Sequence, residues 1–381
     1  MPATKPTKRR PSKSAAQRPP ISRDLELEAL AGSCTRFLSG DGQRTVATLL
    51  ETIPDDTEVD YYGVGGAVSA LESDVARLLG KESALFVPTG TMAQQAVLRV
   101  HADRRSGRSI AFHPTCHLDG WAEERGYQGL HGLFGIPVGS REGPLTLRAL
   151  EGVRQPVAAL LLELPQRALG GTLPSWGELT EQVQWARDRG AAVHLDGARL
   201  WEASAFYSSA HRKSLIDVAS LFDTVYVSFY KGLGGLGGCC VAGDRDVIDE
   251  LSVWRTRHGG RVFMMWPYAA SARTVLAARL PKMPAYFRHA KSIARALRGV
   301  EGVEVLPDPP QSPMLHIRLA VTLEAMIANA KAIARSDGVW TFARPFVSEG
   351  PVMQRCELSV GDATLKLRAD EIAGLLQRLG S

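Results

Sequence analysis

The stretches Val193-His194-Leu195-Asp196-Gly197-Ala198-Arg199 and Ser228-Phe229-Tyr230-Lys231-Gly232-Leu233-Gly234-Gly235 decide how this chain is read. An apolar run that ends in an acid reads as a buried strand delivering a carboxylate at its carboxyl end. A second apolar strand, residues 224–228, delivers a lysine into a glycine-rich turn. Each has a structural explanation when taken alone, since a strand-terminal Asp often caps a helix and a lysine is usually a solvated charge. Their meaning comes from the segments around them.

Residues 83–87 read as a short buried strand, followed by Pro88-Thr89-Gly90-Thr91-Met92 and a helix over 93–101. A strand, a Gly/Thr turn and a helix amino terminus make an anion site, because backbone N–H groups, hydroxyls and the helix dipole converge there. The strand 109–112 runs into His113-Pro114-Thr115-Cys116-His117, with a helix expected over 118–127. A strand over 133–138 and a helix over 145–153 come next. Residues 157–162 are uninterruptedly apolar and end in Glu163; a helix over 178–189 stops at Gly190, and the strand 191–196 follows. Continuous apolar strands alternating with helices predict an α/β fold whose mostly parallel sheet is covered on both faces. Ligands of such sheets sit outside the carboxyl ends of the strands. Thr89-Gly90-Thr91, His117, Glu163, Asp196 and Lys231 all fall at such ends. A phosphate-binding turn, an acid and a lysine on one sheet edge are the parts that pyridoxal 5'-phosphate (PLP) requires. The lysine forms the Schiff base, and the acid keeps the pyridinium nitrogen protonated so that the ring accepts electrons.

The flanks set the limits. The net charge of +5 is concentrated in residues 1–22, which carry six basic residues, five prolines and no acid. That segment cannot bury apolar surface and reads as a disordered basic tail; without it the chain is near neutral, so charge gives no argument for a nucleic-acid partner. Residues 25–38 read as a helix or arm, Ser39-Gly40-Asp41-Gly42 as a loop, and 67–79 as a helix closed by Gly80. After a helix over 247–254 and a helix-rich connection over 266–300, strands at 315–319, 338–342 and 355–360 and helices at 323–336 and 369–379 predict a small α+β domain. The division expected is a tail, 1–22; a large domain, 23–265; and a small C-terminal domain, 266–381. No apolar stretch reaches membrane-spanning length, and residues 1–22 lack the apolar core of a secretory signal. Five cysteines without C-x-x-C spacing point to reduced thiols in a cytoplasmic protein, with neither disulfide frame nor metal site.

In sequence order, Tyr62-Gly63, Leu71-Glu72, Leu79-Gly80-Lys81-Glu82, Phe86 to Ala93, His117, His194 to Arg199 and Lys231-Gly232-Leu233-Gly234 resemble the low-specificity threonine aldolase and β-eliminating lyase family. The resemblance covers residues 35–260 well and the remainder loosely. It implies the PLP-dependent transferase-like fold of type I: a mostly parallel seven-stranded sheet between helices, plus the small α+β C-terminal domain. It also implies catalytic roles for Lys231 (Schiff base), Asp196 (pyridinium partner) and His117 (stacked on the ring, near the substrate hydroxyl). Gly90, Thr91 and Ser228 would hold the phosphate, while Arg199, with Ser39 and Arg355, would bind the substrate carboxylate. The reaction implied is cleavage of the Cα–Cβ bond of a β-hydroxy L-amino acid to glycine and an aldehyde, in a homodimer or homotetramer. β-Elimination or transamination of another amino acid is the alternative, and a non-enzymatic fold relative the third; keeping Lys231, Asp196 and Arg199 together argues against the last. The chain departs from the family at three places. Leu164-Pro165-Gln166 stands where Asn-Thr-His is usual, Tyr230 where Ser is usual before the lysine, and Arg257-His258-Gly259-Gly260-Arg261 where the family has Gly-Gly-Gly-Met-Arg-Gln. These leave the cofactor assigned and the substrate side chain open.

Overall fold

The apolar runs become strands whose order brings their carboxyl ends together. In the computed structural model, which describes residues 25–120 and 123–381, seven strands form the large sheet. They are β1 (Ser83–Val87), β2 (Ser109–Phe112), β3 (Phe134–Pro137), β4 (Ala159–Glu163), β5 (Ala192–Gly197), β6 (Thr224–Ser228) and β7 (Cys239–Gly243). Their order is β1-β7-β6-β5-β4-β2-β3. All run the same way except β7, which pairs antiparallel with both β1 and β6. Every residue of β4, β5, β6 and β7 is buried, as expected of strands covered on both faces. The edge strand β3 is half exposed and ends in Pro137, which removes an N–H no neighbour needs. The basic segment 1–22 lies outside the described residues.

Side chains alternate across the sheet with a period of two. Leu160, Leu162, Val193, Leu195, Val225 and Val227 enter one core with α1 (Gly66–Leu79), α3 (Trp176–Arg187) and α4 (Leu200–His211). Leu161, Ala192, Tyr226 and Val241 enter the other, under α2 (Gly90–Arg104) and α5 (Arg245–Arg257). Each such Leu or Val, fully buried, contributes about 1.5–3 kcal/mol. The same alternation places Glu163, Asp196, Tyr226 and Ser228 on the α2 face. α1 ends at Gly80 with φ 62°, the left-handed cap expected from the sequence, while α3 begins with a Ser175/Glu178 capping box.

The C-terminal part contains α6 (Trp266–Arg279), α7 (Met283–Leu297), β8 (Val303–Leu306), β9 (Met314–Leu319), α8 (Leu323–Asp337), β10 (Val347–Gly350), β11 (Met353–Ser359) and α9 (Ala369–Leu379). Its sheet is antiparallel, in the order β10-β11-β9-β8, so the mixed α+β character holds. Two expectations change. The continuous helix expected over 118–127 does not form: a 3-10 turn at His117–Asp119 ends at an extended Gly120, and among the described residues of this stretch Gly126–Gly129 is the next helical segment. Glycines at both ends oppose a continuous helix, and the Gln95 amide occupies the space a Cβ at Gly126 would need. The N-terminal arm, grouped by sequence with the large domain, lies against the C-terminal part, where Arg36–Phe37 pairs in parallel with Val339–Trp340. No helix among the described residues is long and apolar enough to cross a membrane.

Candidate active site

The carboxyl ends of β4, β5 and β6 meet at one point. Register pairs Glu163 with Asp196, and Asp196 with Tyr226. Asp196 is 2% exposed and accepts the Ala198 N–H at 3.1 Å; burial, then the neighbouring Glu163 charge, raises its pKa. Glu163 moves the other way. Burial alone would raise it, but the His117 charge and hydrogen bond, the Arg167 N–H and Lys231 outweigh that and lower it. One of its oxygens accepts both Nδ1–H (3.0 Å) and the backbone N–H (3.2 Å) of His117, and the other accepts the Arg167 N–H at 3.0 Å. The Glu163 charge in turn raises His117. With Nδ1 committed to Glu163, the proton-exchanging atom left to His117 is Nε2. Donor atoms of His117, Glu163 and Asp196 lie within 4.8 Å of one another, compact enough for a cation and equally for the protonated nitrogen of a planar ring.

Lys231 follows β6. Its pKa is lowered, first by burial and then by Arg199, which favours the neutral, nucleophilic amine. It forms no hydrogen bond or ion pair with any described residue and stands 5.9 Å from the Tyr230 ring centroid. The glycines behind it are steric necessities, because a Cβ at Gly232 would collide with the Glu202 carboxyl and one at Gly234, where φ is +70°, with Arg279. Arg199, at the turn out of β5, is 12% exposed in its side chain, and its nearest acid is Glu357 at 3.9 Å. That distance is too long for a hydrogen bond.

At the far end, α2 begins at Gly90, capped by Thr89, whose hydroxyl accepts the Met92 N–H at 3.3 Å. The turn packs directly on the sheet, for a Cβ at Gly90 would collide with Tyr226 Oη. Thr91 is exposed. Ser228 Oγ is buried without a hydrogen-bond partner; the Tyr230 phenol is close enough to feel it but outside hydrogen-bond geometry. An orphaned hydroxyl near a helix amino terminus suits an anionic oxygen. Anion site, lysine and buried acid thus stand in the order that PLP would need, and these residues fit the group.

The structure therefore gathers Gly90, Thr91, His117, Asp196, Arg199, Ser228 and Lys231. Ser39 and Arg355 have partners of their own in the C-terminal part. The Ser39 hydroxyl bonds the Ser359 backbone N–H at 3.0 Å and C=O at 3.3 Å, and Arg355 pairs with Glu349 at 3.1 Å. Sequence reasoning placed Glu163 at a strand end but gave it no role. It missed Glu123 and Glu202 altogether. Glu123 is 8% exposed with an unpartnered Oε2, and burial, followed by the Asp196 charge, pushes it up to about 8. Glu202, 6% exposed, has its Oε2 likewise unpartnered. Nothing local in the sequence marks either.

A sequence model of the β-eliminating lyase family matches residues 47–320. The chain belongs to that family. It is a PLP-dependent lyase by that membership. The low-specificity L-threonine aldolase 1 of Arabidopsis thaliana is 31% identical over 261 residues, which are 66% of this chain and 71% of the relative. A solved Listeria monocytogenes protein, described as a candidate L-allo-threonine aldolase, superposes with a TM-score of 0.86 at 36% identity, covering 93% of this chain and 98% of its own. A second, from Exiguobacterium sp. 255-15 and described as a candidate aromatic amino acid β-eliminating lyase/threonine aldolase, gives 0.86 at 33% identity, with 93% and 99% covered. Both likenesses extend through the C-terminal part that the family model only enters.

Proposed function

We propose that this lyase cleaves the Cα–Cβ bond of a β-hydroxy L-amino acid to glycine and an aldehyde, with PLP on Lys231. The observation that carries the proposal is the His117–Glu163 pair. It offers an imidazole Nε2 as a base for a β-hydroxyl proton and a buried carboxylate to stabilise the resulting imidazolium. PLP, when bound, supplies the electron sink for the pair released at Cα. Arg199 binds the α-carboxylate, since its guanidinium has no hydrogen-bonded partner of its own and is shaped for bidentate contact. Asp196 holds the proton on the ring nitrogen. Gly90, Thr91 and Ser228 receive the phosphate. Lys231, whose pKa is lowered first by burial, would be the attachment point.

Two coarser readings accompany this one. The five cysteines are free and buried, which supports a reducing, cytoplasmic setting. Exposed Tyr61, Tyr62, Val64, Val262 and Phe263 support a homo-oligomer that covers them. The test of function is direct. Purified protein loaded with PLP shows a visible Schiff-base band that Lys231→Ala abolishes, and β-hydroxy amino acids release glycine and aldehyde. Keto acid released together with ammonia and the β-substituent, without glycine, would instead establish β-elimination, and a protein that stays colourless with added PLP would end the proposal.

A further inference from the structure

One ion-pair cluster at the cleft plays no part in the chemistry above. Arg167, in the loop after β4, donates to Glu357 of β11 side-on, Nε to Oε2 at 2.6 Å and Nη2 to Oε1 at 3.2 Å. The same Oε1 lies 3.9 Å from Arg199 Nη2, and the fully buried His316 places Nε2 3.9 Å from Oε2. Phe346 covers the cluster, with its ring 4.9 Å from the Arg167 guanidinium and 4.7 Å from the His316 ring. The anchor is rigid. The loop carrying Arg167 passes so close to the C-terminal part that a Cβ at Gly170 would meet Leu306 O and one at Gly171 Ser312 Oγ, and Leu173 N–H bonds Gln311 at 2.9 Å.

Arg199 needs such a neighbour. An arginine with no hydrogen-bonded partner among the described residues is drawn out toward water unless a negative charge keeps it in place. A carboxylate in direct contact would hold it firmly but consume the donors that the substrate needs. Glu357, already gripped by Arg167, does neither. At 3.9 Å it attracts Arg199 through space and leaves its N–H groups uncommitted.

We propose that Glu357, anchored by Arg167, is a positioning residue that holds the Arg199 guanidinium in the cleft as a ready receptor for the amino-acid carboxylate. The inference rests on the reading of Arg199 given above. It assigns a task to residues of the C-terminal part and of the loop where the chain departs from its family.

The test uses the PLP-loaded enzyme and reads glycine affinity from the change in the cofactor's absorption, together with KM and kcat for a β-hydroxy amino acid. Glu357→Gln should weaken glycine and raise KM about tenfold, the size of one coupled charge pair, with the loss falling mainly on KM. Arg167→Gln, which removes the anchor from the other side, should act in the same direction and guards against a folding defect peculiar to one variant. In an Arg199→Gln background, which removes the positive charge, the Glu357→Gln effect should vanish. The opposite sign is the natural competitor, because deleting a negative charge beside a carboxylate receptor would by itself tighten binding. Unchanged or tighter glycine binding in Glu357→Gln overturns the proposal, as does an effect that persists in full in Arg199→Gln. If the wild-type enzyme binds neither glycine nor any β-hydroxy amino acid, the aldolase reading itself fails, and that result is distinct from the others.

Discussion

Replacing Glu163 by Gln tests the acid–base assignment at its base. The substitution keeps the shape and one acceptor oxygen but removes the charge that His117 faces at 3.0 Å. A hydrogen bond to a charged group contributes about 1.5–3 kcal/mol. If the imidazolium forms in the transition state, losing it lowers kcat/KM roughly ten- to a hundredfold above neutral pH. The pH dependence gives the sharper readout. His117 is raised by Glu163 and works as a base only when neutral, so the wild-type rate should climb with pH through that raised pKa. In Glu163→Gln the rising limb should move to lower pH, and the two profiles should converge or cross on the acid side. Stability follows the same linkage. A histidine whose folded pKa is raised contributes stability that is fully present below its unfolded pKa and is lost as pH rises through the folded one; that dependence should disappear in the variant. Rates from pH 5 to 10, with cofactor loading checked by absorbance, decide the matter. A lower rate with an unmoved limb would refute the assignment of His117 as the base and leave Glu163 a structural acid.

Two further substitutions probe the frame around the site. Gly90→Ala places a methyl against Tyr226 Oη and should cost about 1–3 kcal/mol of stability along with PLP affinity, while adding Tyr226→Phe should recover part of both; PLP affinity equal to wild type in Gly90→Ala would contradict the packing argument. Glu72, whose carboxylate accepts the Phe86 N–H at 2.7 Å, is raised by burial from 4.5 to about 7. The folded state thus keeps a proton that the unfolded chain releases, so stability should decline as pH rises from about 5 to 7, by on the order of 2 kcal/mol. Urea midpoints at the two pH values should differ less in Glu72→Gln than in wild type, and an identical difference would show that Glu72 is not the source.

What could be read from the sequence divides along physical lines. Buried strands were legible because covering both faces demands unbroken apolar runs, so β4, β5 and β6 announced themselves, and their terminal Glu163, Asp196 and Lys231 followed. The edge strands of the small sheet were not: β8 and β10 are half exposed, and partial burial leaves no pattern to distinguish them from loops. The helix expected after His117 shows the reverse error, since Gly120 and Gly126 oppose a continuous helix there. Acids inside the site escaped for another reason. Glu123 and Glu202 belong to no motif, and only the fold turns their side chains inward.

Partnership was the least legible property, and the substrate side of the site depends on it most. Arg167 and Glu357 lie 190 residues apart, and no local rule connects a loop arginine to a carboxylate on an antiparallel strand of another sheet. The cofactor side needs no such connection. Its acid, lysine and glycine turn each sit at the end of a strand, and sheet order alone brings them together. On the reading proposed for Arg199, the substrate side lies where that sheet meets the C-terminal part, and Glu357 faces Arg199 across that boundary. This explains why departures from the family at Gln166 and Tyr230 could leave the cofactor machinery intact. Altering a loop after β4 changes what faces β11 without moving any strand end. It follows that changes in substrate preference within this fold should arise as paired substitutions across that boundary, with Arg167 and Glu357 the first pair to exchange together.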